Sequence, residues 1–344
     1  MKKLYIDNDN HIIVDGHSDL MIDVYRKRKM GEQNVLSKYH LKEYEQGNVR
    51  IVFLTIGGDD PVSNATPYDP LRGTLENLQY IYDEARGPIK VILSNNDMDE
   101  VLQSKEFKLG LVLNLEGLRP VEDSLELFKI FYKLGVRAFS LTWNRRNFMA
   151  DGCGEERTKS KLTQLGLEVL EIAQRFGMII DVSHISENSF WDIIENVKTP
   201  LIASHSNSRA LCDHPRNLND EQIRAIAEKR GVIGICFFPA LIHKTDPGIE
   251  KLLSHIEYIS EIAGMDHVGL GPDYIYYAEE LILPTLQVSG INYGGLFKYP
   301  EEVDRPSKLP NLVYYLERRG FSDKEIRKIL GLNFIRVLQH VLKY

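Results

Sequence analysis

What the chain has little of bounds it first. Cysteine is nearly absent: Cys153, Cys212 and Cys236 are the only three in 344 residues. Their spacing fits no CxxC metal or redox pair, and a disulfide-stapled scaffold is excluded. Reduced thiols in a cytoplasmic protein are the plain reading. No run of about 18 apolar residues exists, so no membrane-spanning helix and no membrane partner are expected. The opening Met1-Lys2-Lys3-Leu4-Tyr5-Ile6-Asp7-Asn8 lacks the apolar core of a secretory signal, and the amphipathic ending at Tyr344 is not a lipid-anchor signal. Positive charge is short too: 42 Lys+Arg stand against 49 Asp+Glu, a net charge of −7. The densest basic run, Arg26-Lys27-Arg28-Lys29, reads as a solvated face, so nucleic acid is not an expected partner. Low-complexity and Pro/Gly/Ser-rich linkers are missing as well. With 43% hydrophobic and 26% charged residues the composition is that of a soluble globular chain, which excludes disorder and a coiled coil.

What is present is an alternation. Apolar, β-branched runs fall at Ile12–Val14, Val49–Leu54, Leu109–Leu115, Val136–Leu141, Met178–Val182, Leu201–Ala203, Val232–Phe237 and Val268–Leu270. Runs apolar on both faces suit parallel strands covered by helices. Between them lie amphipathic stretches: Leu162 to Phe176 repeats apolar residues at helical spacing, and Asn219-Asp220 caps Glu221 to Lys229. Gly135, Gly177 and Gly231 each stand between a helical pattern and a strand, where a left-handed C-cap is expected. Eight strands alternating with helices predict a single α/β domain over 1–344, a (β/α)8 TIM barrel. Asp59 to Asp99 is long enough for an extra helix, and Ser289 to Pro310 reads as a long loop over one barrel end.

Ligand-type residues gather at the C-terminal ends of these strands. Asp15-Gly16-His17-Ser18-Asp19 places His17 and Asp19 two apart, on the same side of a strand. Leu115-Glu116-Gly117 ends an apolar strand on a carboxylate whose burial would be costly without an ion or an arginine beside it. Asp181-Val182-Ser183-His184 and Ala203-Ser204-His205-Ser206 end two more on histidine, and Gly271-Pro272-Asp273 ends the last on aspartate. Each alone is more often structural. Together, on the functional face of one barrel, they suit zinc or a similar divalent ion. His11, His40, His214, His243, His255, His267 and His340 fall elsewhere and read as ordinary.

These segments, with Pro215-Arg216-Asn217, Leu309-Pro310-Asn311-Leu312 and Gly331-Leu332-Asn333-Phe334, resemble the renal (membrane) dipeptidase family of zinc peptidases over essentially the whole chain. The resemblance implies a metal-dependent, amidohydrolase-type barrel that hydrolyses dipeptides at a dinuclear zinc site and tolerates a D-residue at the C-terminal position. It implies His17 and Asp19 on one ion, His184 and His205 on the other, and Glu116 bridging them. Asp273 matches the family's active-site acid. Arg216 matches the arginine that takes the substrate carboxylate, and a guanidinium fork fits a carboxylate bidentately on its own merits. Three departures stand out. Trp143 follows Leu141-Thr142 where a carbonyl-polarising histidine is frequent. Tyr274-Ile275-Tyr276 replaces Phe-Asp-Gly, and Phe237-Phe238 replaces a polar Asn.

The implied reaction is metal-assisted amide hydrolysis, with Asp273 as base and then acid. A homodimer is the oligomeric state such a family suggests. A deaminase, lactonase or phosphoester hydrolase on the same metal frame stays open, because function lives in the site and not in the fold. Arg216 and the lack of a phosphate-binding glycine loop favour a carboxylate substrate. A metal-binding pseudoenzyme is the rival from outside enzymology.

Overall fold

A computed structural model describes residues 11–59, 69–280, 286, 289–294 and 298–342. The opening Met1–Asn8, the final Tyr344 and parts of Asp59–Asp99 and Ser289–Pro310 lie outside them. The strands are β1 (Ile13–Ser18), β2 (Val49–Gly58), β3 (Ile89–Val91), β4 (Leu109–Glu116), β5 (Val136–Ser140), β6 (Ile179–Asp181), β7 (Ile202–Ala203), β8 (Val232–Ile235) and β9 (Val268–Leu270). All are parallel, in the order β1-β2-β4-β5-β6-β7-β8-β9. β9 lies beside β1, so the ring is nearly closed. This is the expected (β/α)8 barrel, and each of the eight anticipated runs supplies one of its strands.

The ninth strand was not anticipated. Between Asp59 and Asp99 the chain forms the expected helix, Pro70–Glu84, capped by Asp69, and then β3. β3 pairs with Leu109–Leu111 of β4, on the stretch that precedes Leu113, where β5 joins. A three-residue strand carries too little periodicity to be read from sequence. In Ser289–Pro310 the described part holds two short 3₁₀ turns, Glu301–Val303 and Pro306–Lys308.

Two apolar layers follow from the alternation of side chains along each strand. Val14, Phe53, Val112, Ala138, Ile179, Ile202 and Val232 fill the barrel interior. Phe334, on the C-terminal helix Asn333–Val341, packs among them against Phe53, and a Cβ on Gly16 would sit 2.6 Å from its ring. The intervening strand residues meet the surrounding helices, among them Gln164–Phe176, which Thr163 caps, and Asp220–Glu228, which opens on an Asn219/Gln222 capping box. Gly135 and Gly177 do take positive φ, +103° and +76°. Gly231 does not. There Arg230 takes the left-handed turn at +58°. Glycine follows because a Cβ at 231 would meet the Leu201 carbonyl oxygen at 2.3 Å.

Candidate metal centre

Strict alternation would point His17 away from the site. Val14 and Gly16 face the barrel interior, so His17 should face out. The ladder, however, pairs Asp15 with Val52 and Ser18 with Leu54, leaving one extra residue in β1. Such a bulge reverses the alternation. His17 therefore turns into the barrel mouth, where Asp15 Oδ1 accepts its backbone N–H at 3.1 Å. Glu116 needs no device: Val112, Asn114 and Glu116 follow simple alternation inward along β4. His184 and Asp273 follow β6 and β9 on left-handed backbone, φ +68° and +58°. That conformation costs a non-glycine residue roughly 1–3 kcal/mol and is concentrated at functional sites. His205 follows β7. Beneath both histidines, Asp181 accepts from the Ser183 and Ser204 backbone N–H groups and the Ser204 hydroxyl, binding two strand ends together.

The side chains converge on one carboxylate oxygen. Glu116 Oε1 lies 2.9 Å from His184 Nε2 and 3.5 Å from both His17 Nε2 and His205 Nε2. His17 Nε2 is 3.5 Å from Asp19 Oδ1 and 3.9 Å from Asp273 Oδ1. All of these but Asp19 and Asp273 are buried, and those two are half-buried.

The donor set fits divalent cations. Ser204 Oγ gives its proton to Asp181, so it accepts from His205 Nδ1 at 2.7 Å. Asn144 Oδ1 likewise takes His184 Nδ1–H at 2.7 Å. Both imidazoles thus carry their proton on Nδ1 and present bare Nε2 atoms, 2.8 Å apart and beside a carboxylate oxygen. Facing lone pairs at that distance repel unless a cation lies between them. Both His17 nitrogens and Asp19 Oδ1 are buried with no hydrogen-bond partner among the described residues. Buried polar atoms are rarely left this way without a ligand to satisfy them.

Electrostatics divide the three histidines: the acids draw positive charge to His17, while the other two stay neutral. Burial disfavours the charged form of His17, yet Glu116 and Asp19 outweigh it and push its pKa up to about 10. Burial, with Arg216 and His17 nearby, holds His184 and His205 well below the usual histidine range, in the neutral form a metal requires. Burial raises the Asp273 carboxyl to about 6, Asp19 adding to the rise and His17 opposing it.

A narrow cavity opens over this cluster, walled by Ile22, Trp143, Phe238, Leu241, Ile275 and Tyr293. Arg216 lines it too, almost fully buried. Its guanidinium donates to the His205 carbonyl at 2.9 Å and to Ser206 Oγ at 3.5 Å. Among the described residues no carboxylate pairs with it, and Asp273 is felt only as a distant charge.

The family model described as membrane dipeptidase (peptidase family M19) matches residues 8–280 and 288–344. The chain belongs to that family. It is 31% identical to an uncharacterized protein in the pqqA 5′ region of Klebsiella pneumoniae, over 80% of this chain and 97% of that one. It is 28% identical to dipeptidase tcpJ of Claviceps purpurea, over 95% of this chain and 76% of that one. In fold it is similar to a metallopeptidase from Rhodobacter sphaeroides liganded with a phosphinate mimic of L-Ala-D-Ala. The TM-score is 0.80 and the identity 21%, covering 97% of this chain and 100% of that one.

In this membrane dipeptidase family chain the structure gathers His17, Asp19, Glu116, His184, His205, Asp273 and Arg216 into one site. Among the described residues, two groups have the spacing to hold an ion, His17-Glu116-His205 and His17-Asp19-Asp273. The second sets Asp273, a ligand-type strand end to which the family resemblance gives the role of acid, beside two expected ligands. Of the three departures, Trp143 lines the cavity 5.8 Å from the His184 ring, and Phe238 lines it with Phe237 buried behind. Ile275 lines it as well, while Tyr274 reaches away to the Val303 carbonyl.

Four contributors went unread. Asp181 lay within a quoted motif, and a buried acid ending a strand was the signal. Asn144 directly follows Trp143. His214, set aside as ordinary, is no ligand but joins two site loops: its Nδ1 accepts the Arg216 N–H, and its Nε2 faces the Asn292 carbonyl at 3.3 Å. Tyr293 lies in the aperiodic stretch, and nothing in the sequence marks it.

Proposed function

We propose that this chain is a dipeptidase that holds two divalent ions, zinc by preference, and accepts a D-residue at the C-terminal position of its substrate. His17 and Asp19 would hold one ion, His184 and His205 the other, and Glu116 both. When bound, the ions supply carbonyl polarisation and a water acidified towards neutrality. The remaining work falls to the chain. Asp273 holds the proton of the attacking water on its carboxylate and returns it to the leaving amine, a role suited to a carboxyl held near 6 by burial. Cys236 Sγ, 3.7 Å from Asp273 Oδ2, and Tyr299, which donates to its backbone carbonyl, steady that carboxylate. The apolar wall limits competing water. Tolerance of a D-residue accords with the L-Ala-D-Ala mimic held by the similar Rhodobacter metallopeptidase. Three buried free thiols support a reducing, cytoplasmic setting.

The observation that carries the reading is Arg216, a buried guanidinium lining the cavity with no carboxylate partner among the described residues. A buried unpaired charge is costly, and a substrate carboxylate would complete it. Net, such a charge-assisted pair contributes roughly 1.5–3 kcal/mol. Amidating the C-terminus of a dipeptide should cost roughly 10- to 150-fold in kcat/KM, and Arg216→Met should impose a similar loss on free dipeptides. The test is amine release from L,L and L,D dipeptides and their amides by zinc-loaded protein. Equal turnover of acids and amides by the unaltered protein would sink the proposal.

A further inference from the structure

We propose that Tyr293 is a second anchor for the substrate's terminal carboxylate, its hydroxyl donating to the oxygen that Arg216 leaves unsatisfied. This rests on the dipeptide reading of the site. Tyr293 lines the same cavity as Arg216 and is only 8% exposed. Its ring is fixed, edge-on to Phe238 at 5.7 Å and tilted against His214 at 5.3 Å. Asn144 Nδ2 donates to the phenol oxygen at 2.9 Å. The Asn144 amide cannot turn over freely, because its Oδ1 already takes His184 Nδ1–H and, at 3.4 Å, the Cys153 thiol. The phenol oxygen is therefore an acceptor on one side, and its own proton has no acceptor among the described residues. A donor with a free proton, facing a cavity beside a guanidinium, calls for an anion.

Its place decides which part of the substrate it meets. Asn144 stands behind His184, on the Nδ1 side, whereas Glu116 meets the Nε2 side. The hydroxyl is thus set back from the ion cluster and belongs with the far end of the substrate, not the scissile bond. After burial, Arg216 is the strongest influence on the phenol. His214 ties together the two segments that carry the anchors, accepting the Arg216 backbone N–H while its Nε2–H meets the carbonyl of Asn292, the residue before Tyr293. Arg216 spends one terminal nitrogen on the His205 carbonyl and turns the other to Ser206 Oγ at 3.5 Å, so a carboxylate with two oxygens to satisfy gains from a second, neutral donor.

The test compares a dipeptide with its C-terminal amide in the unaltered protein and in Tyr293→Phe, which keeps the ring and its packing. The acid-to-amide ratio of kcat/KM should fall roughly tenfold or more, the worth of a hydrogen bond to a charged group. Most of the loss should appear in KM, as for contacts made equally in ground and transition states. An unchanged ratio, or equal losses on acid and amide, overturns the role of Tyr293 while Arg216 can still stand. Should the unaltered protein not distinguish acid from amide, both this inference and the dipeptide reading fall. The Arg216→Met variant separates the cases, since its loss does not depend on Tyr293.

Discussion

Replacing Glu116 with Gln tests the metal centre at its middle. The substitution keeps the shape but turns an oxygen approached by three imidazole nitrogens into part of a neutral amide. In the unaltered protein, ions that bind only the folded state add about 2.7 kcal/mol at a hundred times Kd and about 4.1 kcal/mol at a thousand times. Unfolding entropy near 2.1 cal/mol/K per residue makes about 0.7 kcal/mol/K for a chain of 344 residues. Zinc should therefore raise the melting temperature of chelator-stripped protein by about 4–6 °C. Glu116→Gln should lose most of that rise and hold fewer than two ions per chain. The assay is thermal melting of stripped and reloaded protein, alongside metal analysis of the same samples. A variant that keeps both ions and the full rise would refute the central role of Glu116.

Two further expectations follow from other residues. Asp273→Asn should lower kcat roughly 10²–10⁴-fold while keeping the zinc-dependent melting rise; if the ions leave with the activity, Asp273 is a ligand, as its grouping with His17 and Asp19 permits. Asp23 gives a stability test at a residue outside the expected ligand set. Burial alone would raise its pKa, but His40 at 2.9 Å, Lys27 and Arg26 outweigh that and hold it well below the usual carboxylate range. A depressed folded pKa stabilises above the unfolded value of about 3.9, and the contribution is lost as pH falls below it. Asp23→Asn should cost about 2 kcal/mol at neutral pH and flatten the decline of melting temperature below about pH 4. An unchanged acid limb would mean the contacts do not matter.

How much of this was legible in the sequence depends on which residues obey a period. The strands repeat, so their ends could be located, and five of the seven expected site residues lie at or just past those ends: Glu116, His184, His205, Asp273 and Asp19. His17 was assigned for a reason the ladder modifies. Spacing two from Asp19 predicted a shared face, yet the alternation set by Val14 and Gly16 would have turned both outward. One bulged residue restores them, and a bulge leaves no mark in hydrophobic pattern. Gly231 is a similar case: its position before a strand suggested a left-handed cap, while the actual cause is crowding against the Leu201 carbonyl.

The cavity wall was less legible because it is built by loops that follow no period. Trp143 and Phe238 could be singled out only against the family pattern, and Tyr293 could not be singled out at all. Its position depends on a chain of hydrogen bonds running from His184 through Asn144 to the phenol, and from Arg216 through His214 to Asn292. All but the short link from Arg216 to His214 join residues distant in sequence, so no local rule predicts the whole chain. The same links make the wall dependent on the centre: Asn144 fixes a proposed metal ligand with one end of its amide and the substrate-facing tyrosine with the other. A wall supported in this way can change its lining residues, as Trp143, Phe238 and Ile275 show, only while the contacts that orient His184 are kept. Substrate choice in this fold therefore varies most freely where side chains touch the cavity alone, and least where one amide serves both the ligand and the wall.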